Sequence, residues 1–360
     1  KWLGAMGVVA GVLILSYYSV IAGWALGYVV RAASGEFTGA STETVQAIFG
    51  GLIADPEKLL GWHTLFMVMT MVVVARGVSK GLERAVLTLM PGLFVILLML
   101  LGYVVIKADF LGGLSFLFAP DFSALSGASI LTAMGHAFFT LSLGMGAIMI
   151  YGSYLPDEVS IGKAVVTIAF LDTAVALTAG MVIFPIVFAN GLEPGAGPGL
   201  VFQTLPLAFG QMSGGLVVGT LFFVMLVFAA WSSSISLIEP AVAWAEERFG
   251  WSRGWASLTL GFLTWLLGVG TVLSFNLWEN VKLFGKTYFD LLDLLTANIM
   301  LPFGGLLMAL FVGWVMHRQS SLDELQMKDG MVYGVWYFLV RFITPLAVIV
   351  VFLNAIGLIG

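Results

Sequence analysis

The stretch FFTLSLGMG, residues 138–146, decides the fold of this 360-residue chain. It lies inside a hydrophobic segment, yet it places two hydroxyls and two glycines where a membrane helix should continue unbroken. An unpaired backbone N–H or C=O is costly in hydrocarbon, so helices break at that depth mainly where the freed groups face protein, water or a bound solute. Thr140 and Ser142 supply side-chain oxygen, and Gly144 and Gly146 make non-helical backbone cheaper. We therefore predict a broken helix that holds a polar ligand; the alternative is a helix-packing face softened by glycine.

The composition around this stretch is that of a polytopic membrane protein. Hydrophobic residues make up 60% of the chain and charged residues 10%, and the mean hydropathy is +1.05. Since about 20 apolar residues span a bilayer, the sequence predicts nine crossings. Their predicted bounds are Trp2 to Val30, Leu59 to Ala75, Val86 to Val105, Ile130 to Tyr154, Lys163 to Phe188, Leu216 to Trp244, Trp255 to Phe275, Phe289 to Met316 and Tyr333 to Ile356.

The basic residues of the short loops predict the orientation. Arg76, Lys80 and Arg84 lie in the inner loop 76–85, on the same side as five further cations. Basic loops stay in the cytoplasm, so the first residue should be cytoplasmic and the C-terminus outside a cell inner membrane. The net charge of −5 is spread over the loops, which argues against a nucleic-acid partner. Because the chain has no cysteine, disulfides and thiolate metal sites are excluded.

Two outer loops and the chain start complete the predicted organisation of a single transmembrane domain, 1–360. The polar extracellular loop 32–58 includes a candidate surface helix from Thr42 to Ile53. The extracellular loop 190–215 is rich in Gly and Pro but contains the apolar patch 200–209, and we expect such a patch to dock as a lid over a cavity mouth. Since Trp2 opens a full crossing with no polar tail before it, we expect the chain to lack its front end.

One carboxylate lies inside a predicted crossing. Asp172 is about ten residues into the fifth crossing, and such carboxylates are costly, so they mark functional sites by default. The sharper interpretation is a negative charge set against a bound cation; the alternative is a protonated, hydrogen-bonded carboxyl. His136 lies one helical turn before Thr140, where it either faces that residue or serves as a packing group.

The run AAWSSSISLIEP, residues 229–240, gathers Ser232, Ser233, Ser234 and Ser236 within an apolar span. Hydroxyls combined with backbone carbonyls suit hard alkali cations, because they replace the hydration shell of the ion. The alternative is that these serines bond back to the carbonyl four residues earlier or permit close helix packing. No nucleotide-binding, zinc-protease or serine-hydrolase motif is present, so an enzyme is disfavoured.

Five motifs in order carry a resemblance over nearly the whole chain. SYY at 16–18, RGVSKGLER, FFTLSLGMG, SSSISLIEP and FDLLD at 289–293 resemble the neurotransmitter:sodium symporter family, in particular its bacterial amino-acid branch. The resemblance implies an all-α polytopic fold of the leucine-transporter type, with two inverted five-helix repeats whose first and sixth helices are broken. The nine crossings would correspond to family helices three to eleven, and family helices one and two would be absent from this sequence.

The resemblance also implies roles for individual residues. The first sodium site would use Thr140 and Asp172, and the second the Ala229 carbonyl with the Ser232 and Ser233 hydroxyls. The substrate pocket would be lined by Ile14, Tyr18, Phe139, Ser142, Met145, Ser233 and Leu237. The outer gate would use Asp293, and the inner gate Tyr154 and Glu247.

Two departures from the family pattern predict ion and substrate preference. Asp172 is a fixed carboxylate where animal relatives need chloride, so we expect no chloride requirement. His136 replaces a common Gln and is predicted to hydrogen-bond or ion-pair with Asp172, which would make turnover sensitive to pH. The apolar pocket, with the flexible Met145, predicts a neutral and large aliphatic or aromatic amino acid.

The function predicted from the sequence is therefore sodium-coupled amino-acid symport, with Na⁺ as the coupling ion and no organic cofactor. Two alternatives remain open: a sodium-conducting channel that uses the same oxygen-rich sites, and a non-transporting membrane scaffold or regulatory fragment. The sequence leaves open which amino acid is carried, how many sodium ions are coupled and which oligomeric state the protein adopts.

Overall fold

A computed structural model describes residues 2–156, 158–195, 197–355 and 357–358 and shows an almost entirely helical chain. The α-helices are, in order, α1 Trp2–Ala33, α2 Thr42–Ile53, α3 Pro56–Ala75, α4 Arg84–Lys107, α5 Phe110–Phe118, α6 Gly127–Thr140, α7 Ala147–Ser153, α8 Ile161–Ala189, α9 Gly197–Gly199, α10 Leu205–Gln211, α11 Gly215–Phe249, α12 Arg253–Ser274, α13 Tyr288–Asp293, α14 Leu301–Leu310, α15 Arg318–Leu325, α16 Met331–Phe338 and α17 Thr344–Ala355. Wider π-helical segments occur at Val78–Glu83, Leu200–Thr204, Leu294–Met300, Phe311–Val315 and Leu339–Ile343.

Eight continuous helical stretches in the described chain are long and apolar enough to cross a membrane. They are Trp2–Ala33, Pro56–Ala75, Lys80–Lys107, Ile161–Ala189, Gly215–Phe249, Arg253–Ser274, Tyr288–Val315 and Met331–Asn354. The fourth predicted crossing, Ile130 to Tyr154, is not among them; it is present as the two shorter helices α6 and α7 with a break between them. The prediction of an all-α polytopic membrane fold is confirmed.

The long helices α1 and α11 form the centre of the bundle. They pack along each other, and α1 also packs against α3 and α12. Their buried residues occur all around the helix rather than along one stripe, which is the pattern of a helix surrounded by protein. The helices α4 and α8 instead expose large apolar side chains, such as Val166 and Phe170. We call the end where α1 begins the inner end, because the loop cations predict that it is cytoplasmic, and the opposite end the outer end.

The break in the predicted sixth family helix covers the residues between Thr140 and Ala147. Ser142, Gly144 and Gly146 have positive φ values of 55°, 85° and 81°, a region that glycine enters without a Cβ penalty. Gly144 is also pressed against another helix, since a Cβ built there would lie 2.4 Å from the carbonyl oxygen of Leu301. Glycine is therefore required at Gly144 both by the turn and by the close approach of α14.

The outer loops pack on the central helices. The surface helix predicted from Thr42 to Ile53 is confirmed as α2, and the Ser41 side chain caps its start. In the loop 190–215, which we call the lid loop, the patch 200–209 forms a π-helical turn followed by α10. Phe202 of this patch is buried, and its carbonyl accepts a hydrogen bond of 2.9 Å from the Tyr28 hydroxyl of α1. The apolar patch is thus anchored on the central helices.

Candidate functional site

A cavity of about 320 Å³ lies beside the break, between α1, α6, α8 and α11. It gathers the seven residues predicted for the substrate pocket, which include the sodium ligand Ser233, and the two further predicted sodium ligands Thr140 and Asp172, although these are far apart in the sequence. The described lining residues are Ile14, Tyr18, Phe139, Thr140, Ser142, Met145, Ala147, Asp172, Ser233, Ser236 and Leu237.

The cavity has an apolar part and a polar part. Ile14, Met145 and Leu237 are buried and apolar, with 1%, 3% and 5% of their surface exposed. The polar part consists of hydroxyl groups and the half-buried carboxylate of Asp172. No basic side chain occurs among the described lining residues. Such a site provides apolar contact for a side chain and oxygen ligands for a cation, but no partner for a second negative charge.

The remaining predicted sodium ligands lie together on α11. The Ala229 carbonyl accepts hydrogen bonds from Ser232 Oγ at 2.9 Å and from Ser233 Oγ at 3.1 Å. The back-bonding that the sequence left open as an alternative is therefore present. Both hydroxyls therefore lie within hydrogen-bond distance of one carbonyl oxygen, and each keeps lone pairs that could serve as ligands. Ser233 belongs to this group and also lines the cavity.

A second cavity, of about 510 Å³, continues from the first toward the inner end. Ser233 and Ser236 line both cavities, so the two spaces adjoin along α11. Tyr151 and Tyr154 also line the second cavity, and the Tyr151 hydroxyl is 2.7 Å from Ser236 Oγ. The other lining residues are Val78, Leu82, Glu83, Val86, Leu87, Met90 and Ser232.

Below the second cavity, ionic side chains join α11 to α12. The Tyr154 hydroxyl donates to Glu239 Oε1 at 2.9 Å, and Arg253 Nη2 donates to the other oxygen of Glu239. Arg253 also donates to Glu246 Oε2 at 3.0 Å and to the Val74 carbonyl at 2.8 Å. The Glu239 side chain is completely buried, and that of Arg253 is 15% exposed. We call Tyr154, Glu239, Glu246 and Arg253 the inner ion cluster.

The inner ion cluster contains one of the two residues predicted for the inner gate, Tyr154. The other, Glu247, is exposed near the end of α11 and forms no ion pair with the described residues, so its gate role stays a prediction. Glu239 and Glu246 are seven residues apart and share one face of α11, whereas the next residue points about 100° away. The sequence did hold a signal for Glu239, because it is a carboxylate within an apolar span and meets the same criterion as Asp172.

The predicted partnership of His136 and Asp172 is not formed. His136 is exposed on α6, and the described residues show no hydrogen bond or ion pair between the two side chains. Asp172 faces the cavity from α8 instead. The spacing of His136 to Thr140 correctly places them one turn apart on α6, but it does not fix which neighbouring helix they face.

At the outer end, the two predicted aspartates of α13 have different surroundings. Asp290 is exposed and completes a capping box with Thr287 at the start of α13. Asp293 is half-buried and has no ion pair within the part of the chain that the structure describes. One turn further, Thr296 Oγ1 lies 3.1 Å from the Tyr17 hydroxyl of α1. Of the pair, only Asp293 therefore lies beside the central helices.

Comparison with known proteins gives one family and several close relatives. The family described as "Sodium:neurotransmitter symporter family" matches residues 53–359. The "Uncharacterized sodium-dependent transporter YhdH" of Bacillus subtilis (strain 168) is 40% identical over 362 residues, which cover 99% of this chain and 80% of that protein. An "Uncharacterized sodium-dependent transporter" of Haemophilus influenzae is 33% identical over 359 residues, covering 98% and 79%. The crystal structure of MhsT in complex with L-phenylalanine matches with a TM-score of 0.89 at 45% identity, over 99% of this chain and 81% of that one.

Proposed function

The chain belongs to the sodium:neurotransmitter symporter family, and we propose that it mediates sodium-coupled symport of a neutral amino acid with a large hydrophobic or aromatic side chain. A member of this family is a transporter, not an enzyme, and its close relatives carry the description sodium-dependent. The observation that carries the proposal is the cavity of about 320 Å³, in which residues from five helices and the break meet.

The substrate class follows from the lining of this cavity. An apolar amino-acid side chain would lie against Ile14, Met145 and Leu237, where burial of apolar surface stabilises it. A charged side chain would be desolvated without a counter-charge, since Asp172 is the only charged group among the described lining residues. The thioether of Met145 adapts to side chains of different shape. The structural relative MhsT was solved with L-phenylalanine, which belongs to the same substrate class.

Sodium would bind at two groups of oxygens. Thr140 and Asp172 would hold one ion next to the substrate carboxylate, and Ala229, Ser232 and Ser233 would hold the other on α11. The negative charge of Asp172 balances the first ion without chloride, so we propose chloride-independent transport. Binding of both ions and substrate would shift the protein between states that open to opposite sides.

The inner ion cluster fits the inner gate of such a cycle. It lies between the second cavity and the inner end, so that the cavity would open to the cytoplasm when the contacts of Glu239 part. Tyr154, at the end of the broken helix, connects this cluster to the segment that carries Phe139 and Met145. A change at the substrate site would therefore reach the cluster through α7, and also through α11, which carries residues of both.

The test is uptake of labelled L-phenylalanine by the full-length protein in sealed proteoliposomes. We expect uptake that requires an inward sodium gradient, saturates, and persists when gluconate replaces chloride. Asp172→Asn should abolish most of this uptake, whereas Glu324→Gln, a change at an exposed position of α15, should leave it intact. Equal uptake with potassium in place of sodium would refute the coupling, and loss of uptake without chloride would refute the role of Asp172. Sodium currents without saturable uptake would favour a channel.

A further inference from the structure

A second unusual site lies at the inner end, away from the transport cavities, where the last two membrane spans cross. The π-helical segments Phe311–Val315 and Leu339–Ile343 face each other there. Gly313 permits the crossing, since a Cβ at this position would lie 2.8 Å from the Cα of Arg341. π-helical turns are rare and occur often at functional sites. Here two π-helical segments are in contact, and Arg341 lies in the middle of the second one.

Aromatic rings surround the guanidinium of Arg341. Its central carbon lies 4.2 Å from the centre of the Trp314 ring, 5.6 Å from that of Phe342 and 5.7 Å from that of Tyr337. The Trp314 indole N–H donates to the Arg341 carbonyl at 3.1 Å, which fixes the ring against the backbone. We call Trp314, Tyr337 and Phe342 the aromatic cage. It holds the guanidinium in place through cation–π contacts.

The charge of Arg341 is not neutralised by the protein. Within the described residues no carboxylate pairs with it, although Arg31, Arg253 and Arg318 each have an acidic partner. A guanidinium has five N–H donors, and the hydrogen bond from Nη1 to the Tyr337 hydroxyl, at 3.3 Å, uses one of them. The Nε donor is buried and has no acceptor. An arginine in a membrane span without an anion is costly, so the site is built for a ligand that supplies one.

The depth of the site is that of the membrane surface. Trp314 is one residue from the end of its span at Val315, and Arg341 lies beside it although it is ten residues inside its own span. Trp314 is 55% exposed on the outside of the bundle, and Phe338 and Leu339 are partly exposed there as well. An exposed tryptophan at a span end is typical of the lipid headgroup region. On the inner side, the guanidinium of Arg318 lies 5.9 Å from the centre of the same Tyr337 ring, but Asp329 neutralises its charge.

We propose that Arg341 and the aromatic cage bind the phosphate of an anionic phospholipid in the leaflet at the inner end. Arginine forms two parallel hydrogen bonds with phosphate oxygens, and these would use donors that the protein leaves without partners. The exposed rings and Leu339 beside the cage would contact the acyl chains. Basic pockets between membrane helices on the cytoplasmic side have this chemistry. The site is separate from the transport cavities, so the proposal does not rest on the proposed function.

Native mass spectrometry of the full-length protein, released from vesicles of defined composition, tests the site. After reconstitution with phosphatidylglycerol, we expect one tightly held lipid that phosphatidylcholine does not replace. Arg341→Gln should weaken the retention of this lipid by about tenfold or more, because it removes at least one charge-assisted hydrogen bond. The matched control is Arg31→Gln, which removes a cation at the outer end and should change nothing. If Arg341→Gln does not fold, Arg341→Lys decides, since it keeps the charge, loses the paired geometry and should still weaken retention.

Three outcomes would overturn the proposal. Equal retention of phosphatidylglycerol by the Arg341 variants and the unchanged protein would show that the guanidinium does not hold the lipid. Displacement of the lipid by inorganic phosphate alone would show that a free anion, rather than a phospholipid, is the ligand. If the unchanged protein proved to be oligomeric and Arg341→Gln dissociated it with unchanged lipid content, the guanidinium would be assigned to a carboxylate of a second copy.

Discussion

At the outer end of the bundle, the lid loop is attached to α1 and α11 by aromatic rings, whereas at the inner end α11 and α12 are joined by the inner ion cluster. Phe202 of the lid loop lies 5.6 Å from Trp24 and 5.0 Å from Tyr28 between ring centres. The inner end uses Glu239 and Arg253, which are buried and charged. Both attachments are buried, so they differ in chemistry rather than in exposure to water.

This difference in chemistry predicts how each end responds to the loss of a side chain. Ring packing is lost gradually, because each contact contributes a little and neighbouring side chains relax into part of the space. A buried ion pair is lost abruptly, since the removal of one partner leaves an uncompensated charge. We therefore expect the outer attachment to act as a permanent anchor and the inner ion cluster to switch between two states.

The largest effect is expected from Glu239→Gln at the inner end. It leaves Arg253 with Glu246 alone and should lower the free energy of unfolding by about 3–5 kcal/mol. Uptake of labelled substrate should fall as well, because the inner gate would no longer close. Thermal unfolding of the purified protein and proteoliposome uptake measure the two effects. Glu324→Gln, at an exposed position of the inner end, is the control. A loss of stability in this control as large as in Glu239→Gln would mean that charge at this end matters without burial.

A smaller effect is expected from Phe202→Leu at the outer end. The change keeps apolar volume but removes the ring contacts with Trp24 and Tyr28, so we expect a loss of about 2 kcal/mol in the free energy of unfolding. Uptake should be retained, since the lid loop lines neither transport cavity in the described chain. Phe122→Leu, at an exposed outer position, serves as the control. If Phe202→Leu abolished uptake at unchanged stability, the lid loop would be a moving gate rather than an anchor.

The same contrast explains what the sequence could predict. The break at residues 138–146 has a local cause, because glycines and hydroxyls interrupt an apolar run, and both the break and the surface helix α2 were predicted. The pocket residues came from family motifs, and the structure brings them into one cavity. Glu239 and Arg253 were missed as a pair, because they meet only when α12 folds back on α11.

The sequence also did not indicate which side of a helix faces which neighbour. His136 lies one turn before Thr140 on α6, but neighbouring helices decide which side of that helix is covered. The sequence did not predict a site at Arg341, because the orientation was predicted from loop cations and Arg341 lies inside a predicted crossing. Its surroundings come from a different helix, and no spacing along the chain indicates that Trp314 lies beside it.

Tyr28→Phe tests the one hydrogen bond of the outer attachment. It removes the hydroxyl and leaves the Phe202 carbonyl buried without its donor, which should cost about 1–2 kcal/mol in the free energy of unfolding. The rings stay in place, so uptake should remain near that of the unchanged protein. Thermal unfolding of Tyr28→Phe and Phe202→Leu side by side separates the contribution of the hydrogen bond from that of the ring contacts. A cost well above that of Phe202→Leu would mean that the outer end, too, depends on polar contacts.

The smallest effect is expected where an ion pair lies at the outer end but is exposed. Arg31 Nη1 is 2.7 Å from Glu36 Oε2, and their side chains are 23% and 44% exposed. Water and salt screen such a pair, so Glu36→Gln should change the free energy of unfolding by less than about 1 kcal/mol. Unfolding at low and at high salt measures it, with Glu239→Gln as the reference. A small, salt-sensitive loss of stability would show that burial, and not charge alone, makes the inner ion cluster sensitive to the removal of one partner. A loss equal to that of Glu239→Gln would remove the contrast between the two ends.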